Sequence, residues 1–182
     1  MKINSTAFYP LYKFIYQYDQ LTKMELYNFI GQTITGQQLN ELLDGMPLLK
    51  FMNDDDTHYG MHYVDGDNLD ILPFNGSGKC SSGGLYVTQL KEYHRYYNDY
   101  GKFARRVRIS DTALIYVEQK KLKCNEIYLE DRVPKDELLG ILFTEYLQDS
   151  LNCGQDITIF VRDDNVLRFI KEHMITPEII LD

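Results

Sequence analysis

Between Asn53 and Asp56 the chain changes period, and this change limits what it can fold into. Upstream, apolar residues fall at helical spacing. Thr22-x-x-Glu25 reads as a capping box ahead of Leu26, Phe29 and Ile30, with Gly31 as the stop. Leu39, Leu42 and Leu43 form a second helical stretch, closed by Gly45-Met46-Pro47. Downstream, the period shortens to two. Phe103, Arg105, Val107 and Ile109 alternate with Ala104, Arg106 and Arg108, as on a strand. Tyr59 to Val64, Leu85 to Thr88, Ala113 to Glu118 and Leu122 to Leu129 also read as strand segments, and Asp65-Gly66-Asp67-Asn68 reads as a turn. Residues 90–100 read as helical, capped by Gly101. Pro134 opens a helix whose apolar face is Leu138, Leu139, Leu142, Tyr146 and Leu147. Ile157 to Val161 reads as a last strand, and Val166, Phe169 and Ile170 as a last helix. The expected fold class is therefore α+β. It has a helical N-terminal segment over 1–52 and an α+β module over 53–182, strand-rich at its centre and mixed α/β at its C-terminal end.

Several function classes are excluded at this level. No apolar run approaches the roughly 18 residues of a membrane span, so no membrane partner is expected. The opening Met1 to Ser5 lacks a signal-peptide core, and an odd count of three cysteines suits reduced thiols inside a cell. A net charge of −8 argues against a nucleic-acid coat, so nucleic acid is not an expected partner. The charge is uneven, however. Residues 81–123 carry nine basic residues against four acidic ones, with a basic patch at Arg105, Arg106 and Arg108. Arg106 and Arg108 should share one outward face and meet acidic groups of the same chain or of a second copy.

No metal is expected. His58 and His62 lack the intervening Glu of a zinc helix, and on one strand face they lie about 13 Å apart. Asp65 to Asp70 puts Leu69 and Asp70 where a calcium loop needs an oxygen ligand and a glycine. Gly83-Gly84, just ahead of a strand, should permit close approach to the backbone, by a ligand or by a packed neighbour. At least one of the pair should adopt positive φ or face such a neighbour.

One long string is distinctive: His58-Tyr-Gly-Met-His-Tyr-Val-Asp-Gly-Asp-Asn-Leu-Asp-Ile-Leu-Pro-Phe-Asn75, followed by Cys80-Ser-Ser-Gly-Gly-Leu-Tyr-Val-Thr88. It resembles the N-terminal region of the ankyrin-repeat proteins of giant viruses of the mimivirus group. The resemblance continues through Asp99-Tyr100-Gly101 and Arg106 to Ile109, and ends near Leu129, so the family-like core is 58–129. Two departures stand out: Asp67 occupies the family's leucine position, and no 33-residue ankyrin period is present. The resemblance implies a stand-alone accessory interaction module of a giant virus. It would be intracellular, in the host cytoplasm or the virion. It would bind a protein partner without catalysis or cofactor.

The same string permits an alternative. His58, Tyr86 and Glu126 are similar in order to the constellation of the ADP-ribosyltransferases. That similarity implies His58 on the ribose of NAD, Tyr86 stacked on nicotinamide, and Glu126 steadying an oxocarbenium-like charge. The chain would then be a transferase-like enzyme or a degenerate NAD-binding relic, with NAD as its cofactor. Finally, Phe8, Leu11, Tyr12, Ile15 and Tyr16 form one helical stripe, nearly encircled by Tyr9, Phe14 and Tyr18. A helix so apolar needs cover on several sides, which predicts an interaction surface that forms a homodimer.

Overall fold

The computed structural model describes residues 26–152. The aromatic stripe from Phe8 to Tyr16, the Thr22–Glu25 box, and the strand and helix expected from Ile157 onward lie outside these residues. Strands β1 (Thr33–Thr35), β2 (Leu48–Met52), β5 (Gly66–Leu69), β6 (Leu85–Gln89), β7 (Phe103–Arg108), β8 (Leu114–Val117), β9 (Leu122–Cys124), β10 (Glu126–Leu129) and β11 (Val133–Pro134) form one antiparallel sheet. A separate hairpin joins β3 (Thr57–His58) to β4 (Met61–His62). Helix α1 spans Gly36–Leu43, helix α2 spans Lys135–Asn152, and Leu90–Arg95 form a 3-10 turn.

The helical N-terminal part expected from the sequence is overturned. The fold is mostly a large antiparallel sheet with few helices, and the long helix among the described residues lies at their C-terminal end. Among the described residues ahead of Asn53, Gly36–Leu43 form a full helix, begun by a capping box in which Thr35 and Gln38 satisfy one another. Thr33-Ile34-Thr35 is β-branched and pairs with β8 instead. Leu48–Met52 shows no alternation because both its faces are buried, and it pairs with β6 and β7. Strands from both sides of Asn53–Asp56 therefore share one sheet. Two local expectations also shift. Asp65–Asn68, expected as a turn, supplies most of β5. Pro134 ends β11, and α2 starts one residue later.

The strand order is β1-β8-β9-β6-β2-β7-β10-β5. Only Asn125 separates β9 from β10, so the circuit that leaves β9 through β6, β2 and β7 returns to the same segment. The sheet thus closes on itself as a small barrel. Side-chain alternation slips by one residue at Asn125, as at a β-bulge, and keeps Leu122, Cys124, Ile127 and Leu129 all inward. Asn125 anchors that slip. Its Oδ1 accepts from Leu114 N at 2.7 Å, and its carbonyl accepts from Asp70 N.

The register places Leu48, Lys50, Arg105, Val107, Leu85 and Val87 on the inner face. All six are buried. Outside, α2 lays Leu138, Leu139, Leu142, Phe143 and Tyr146 against the sheet and the 3-10 turn, where Phe143 meets Tyr93 edge-on at 5.5 Å. Arg106, on the outer face of β7, pairs with Glu145 of α2.

Candidate functional site

The barrel wall is split at one point. β2 and β6 pair only at Leu48↔Gln89 and Leu49↔Thr88 and then part. A cavity of about 250 Å³ opens at the split, with Leu49, Lys50 and Phe51 on one side and Tyr86, Val87 and Thr88 on the other. A second cavity of about 350 Å³ reaches from Tyr63 and Asp70 to the Ser81–Leu85 loop. His58, Tyr59, Cys80 and Tyr86 line both, so the two form one cleft.

Lys50 sits at the split. Its Nζ donates to Tyr86 O at 2.9 Å, across the gap that opens between the strands. The ammonium also lies 4.3 Å from the centre of the Tyr63 ring. Burial pulls its pKa down to about 8, with the nearby Lys121 charge adding to the effect and Cys124 opposing it. Burial likewise pushes the Cys124 thiol up to about 12.

Tyr86 is held in place by its hydroxyl, whose single proton is shared between Glu118 Oε1 at 3.0 Å and Ser81 O at 3.1 Å. Lys121 Nζ stands 3.9 Å over its ring and contacts Cys80 Sγ at 2.9 Å. Burial, and then the Glu118 carboxylate, raise the Tyr86 hydroxyl well above its ordinary value. The His58 pKa is lowered, first by burial and then by the positive charges of Lys50 and Lys121.

Two glycines shape the cleft wall. Gly83 has φ 85°, and a Cβ there would lie 2.5 Å from Pro73 O and 2.9 Å from Asn75 Cβ. Gly84 has φ 147°, where a Cβ would strike the buried Lys123 stem. The close approach to this pair comes from the chain itself. Gly84 N donates to Asp70 Oδ2, and Asn75 N donates to Gly83 O at 2.7 Å.

The β3–β4 hairpin forms the lip. Its two loop residues, Tyr59 (φ 49°) and Gly60 (φ 80°), both take positive φ, the geometry of a type I′ hairpin turn. Tyrosine is an uncommon occupant of the first position, and the turn holds its side chain 94% exposed. The His58 ring lies 4.3 Å from the Tyr59 ring and 5.4 Å from Tyr100, so the lip and the cleft wall are one aromatic surface.

Of the three residues read as transferase-like, the structure brings His58 and Tyr86 together. Glu126 lies on β10, accepts from Ser110 Oγ, and lines neither cavity. The carboxylate beside Tyr86 is Glu118. The basic patch divides between the faces. Arg105 points inward to Asp56, Asp65 and the Glu130 carbonyl, while Arg106 and Arg108 point outward to Glu145 and Glu130. Sequence reasoning missed Lys50, Glu118 and Lys121 as site residues. Lys50 had a signal, since it is the one charge inside the apolar run Leu48-Leu49-Lys50-Phe51-Met52. Glu118 and Lys121 flank a turn, and nothing local marks them.

Comparison with protein-family models, curated proteins and solved structures returns no match. No helix among the described residues is long and apolar enough to cross a membrane.

Proposed function

We propose that the protein is a non-enzymatic interaction module. A protein partner would seat a segment in the split-barrel cleft, with Tyr59 as the anchor at its lip. The carrying observation is Tyr59 itself. A bulky side chain is held in water, at positive φ, beside an aromatic cleft that could accept a partner. Left-handed backbone at a non-glycine residue costs on the order of 1–2 kcal/mol, and such strain tends to be kept where a side chain is used. Tyrosine is also among the residues that concentrate binding energy at interfaces. The resemblance of residues 58–129 to the giant-virus proteins supports an accessory role inside an infected host cell or virion, with no cofactor.

The test is selection of peptides on the purified protein, followed by calorimetric titration of the selected sequences. Binding in the micromolar range is expected, weakened about tenfold or more by Tyr59→Ala, as for an interface hot spot. That variant should fold normally because the side chain is exposed. Selected peptides that bind Tyr59→Ala as well as the parent would refute the anchor.

The NAD-binding relic remains as a second reading because His58 and Tyr86 share the cleft and a carboxylate reaches Tyr86. It predicts thermal stabilisation by NAD, lost in Tyr86→Ala. No shift at millimolar NAD would remove it.

A further inference from the structure

Lys50 has an environment that lysine rarely occupies. The residue is 6% exposed, yet it lines the first cavity. Tyr63, whose ring its Nζ touches, lines the second. Its one hydrogen bond among the described residues goes to the Tyr86 carbonyl, which leaves the other Nζ positions free toward the cleft. Among the described residues no carboxylate forms an ion pair with it. Arg105 stands opposite in register but is committed to Asp56 and Asp65. The groups that face Lys50 are Cys124 from β9, Lys121 from the β8–β9 turn, Tyr63, and His58 from β3. Glu118 accepts from the Tyr86 hydroxyl and the Cys80 amide and pairs with Lys121 at 4.0 Å, which leaves that carboxylate committed away from Lys50.

We propose that Lys50 is a nucleophilic amine that captures a small aldehyde carrying an anionic group, as a reversible imine inside the cleft. The neutral amine adds to the carbonyl carbon. The carbonyl oxygen then leaves as water, taking both amine hydrogens, and a carbon–nitrogen double bond remains. No oxidant or reductant is needed. Lys121, above the Tyr86 ring, would face the anionic group of the adduct. The aldehyde could be free or carried on the partner of the proposed module, and the chemistry at Lys50 is the same. The inference rests on the cleft being a ligand site.

The ammonium's value near 8 supports this reading. At pH 8 about half of Lys50 is the reactive free base. An exposed lysine at its ordinary value holds less than about 1%, so the advantage is roughly a hundredfold.

The test uses pyridoxal 5′-phosphate on the full chain, trapped with borohydride and mapped by peptide mass spectrometry. Unphosphorylated pyridoxal is run in parallel. Lys50 should label first, many-fold ahead of the exposed Lys79 and Lys102, which serve as internal references. Phosphate-bearing reagent should label it faster than pyridoxal, and Lys121→Gln should erase that difference. The Lys50 rate should level off near pH 8–9 while the reference lysines continue to rise. This measurement needs no variant at position 50, so a folding defect there cannot obscure it. Labelling of Lys79 or Lys102 at or above the rate of Lys50 would overturn the proposal. Equal rates with the two reagents would overturn its anionic part. Neither result touches the dissociable peptide binding through Tyr59, which calorimetry reads separately.

Discussion

Replacing Gly83 with alanine should be among the most damaging single-methyl changes the described fold can suffer. Two effects combine. At φ 85° an L side chain pays the left-handed cost, roughly 1–2 kcal/mol. The new Cβ would also lie 2.5 Å from Pro73 O and 2.9 Å from Asn75 Cβ. These are backbone and near-backbone atoms, so no flexible side-chain end can move aside. The loop cannot retreat freely either, because Asn75 N is bonded to Gly83 O. Overpacking of this kind costs about 1–3 kcal/mol. The expected total is about 2–5 kcal/mol, a large share of the roughly 5–15 kcal/mol of a typical domain. Gly45 supplies the control. Its φ is 81°, but a Cβ there meets nothing within 4 Å, so Gly45→Ala should show the backbone term alone. Urea unfolding of the parent and both variants reads the two terms as midpoint shifts at unchanged slope. At about 2–4 °C per kcal/mol, a 3 kcal/mol loss would also lower Tm by about 6–12 °C. Equal shifts for Gly83→Ala and Gly45→Ala would refute the argument that Pro73 and Asn75 crowd the position.

Arg105→Ala should cost about 3 kcal/mol or more, because it leaves Asp56 buried with Arg132 as its remaining charged partner among the described residues. Arg106→Ala breaks a half-exposed pair with Glu145 and should cost under about 1 kcal/mol. Chemical denaturation that ranks these two the other way would contradict the inward and outward assignment of the arginines. The pH dependence of Lys50 has a definite sign. Its folded value is depressed from 10.5 to about 8, so between those limits the unfolded chain holds a proton that the folded chain does not. Stability should therefore rise with pH through that window, by about 1 kcal/mol per unit at most. Cys124 opposes the trend above about pH 9, since its raised value makes the unfolded chain lose the proton first. The rise should thus be visible between pH 8 and 9. In Lys50→Met it should vanish, and the variant should be more stable than the parent at neutral pH by about 1–3 kcal/mol. A Met variant less stable at pH 7, with the parent's slope retained, would contradict the buried-charge account.

Much of the strand content could be read from the sequence, because the β7 alternation and the compact Leu85–Thr88 run are local patterns. What could not be read is which partner each strand takes. Leu48–Met52 carries an apolar run of ambiguous period, and only the distant β6 and β7 make it a strand. The slip at Asn125 and the split between β2 and β6 depend on register across 40 or so residues of chain, which no local spacing encodes. The cleft was visible only in fragments. His58, Tyr86 and the glycine pair were legible, but the carboxylate that reaches Tyr86 comes from residue 118 and not from residue 126. Glu118 becomes its neighbour through the β6–β9–β8 pairing. Arg105 was grouped with Arg106 and Arg108 as one basic patch, and no local spacing reveals that its side of β7 is an interior containing acids.

The joint at Asn125 also has a kinetic meaning. Because one segment serves as both the first and last stave of the barrel, the ring has no closed subset of strands. As the chain is synthesised, β2 is complete early. Its two neighbours come roughly 40 and 55 residues later, and the closing segment later still. Until residue 129 has emerged, β2, β6 and β7 can pair only as an open sheet with bare edges, the state in which nascent chains misassociate. Folding should therefore be late, slow and all-or-none, as expected for long-range pairing, and chains ending short of residue 129 should be aggregation-prone and unable to form a smaller stable domain.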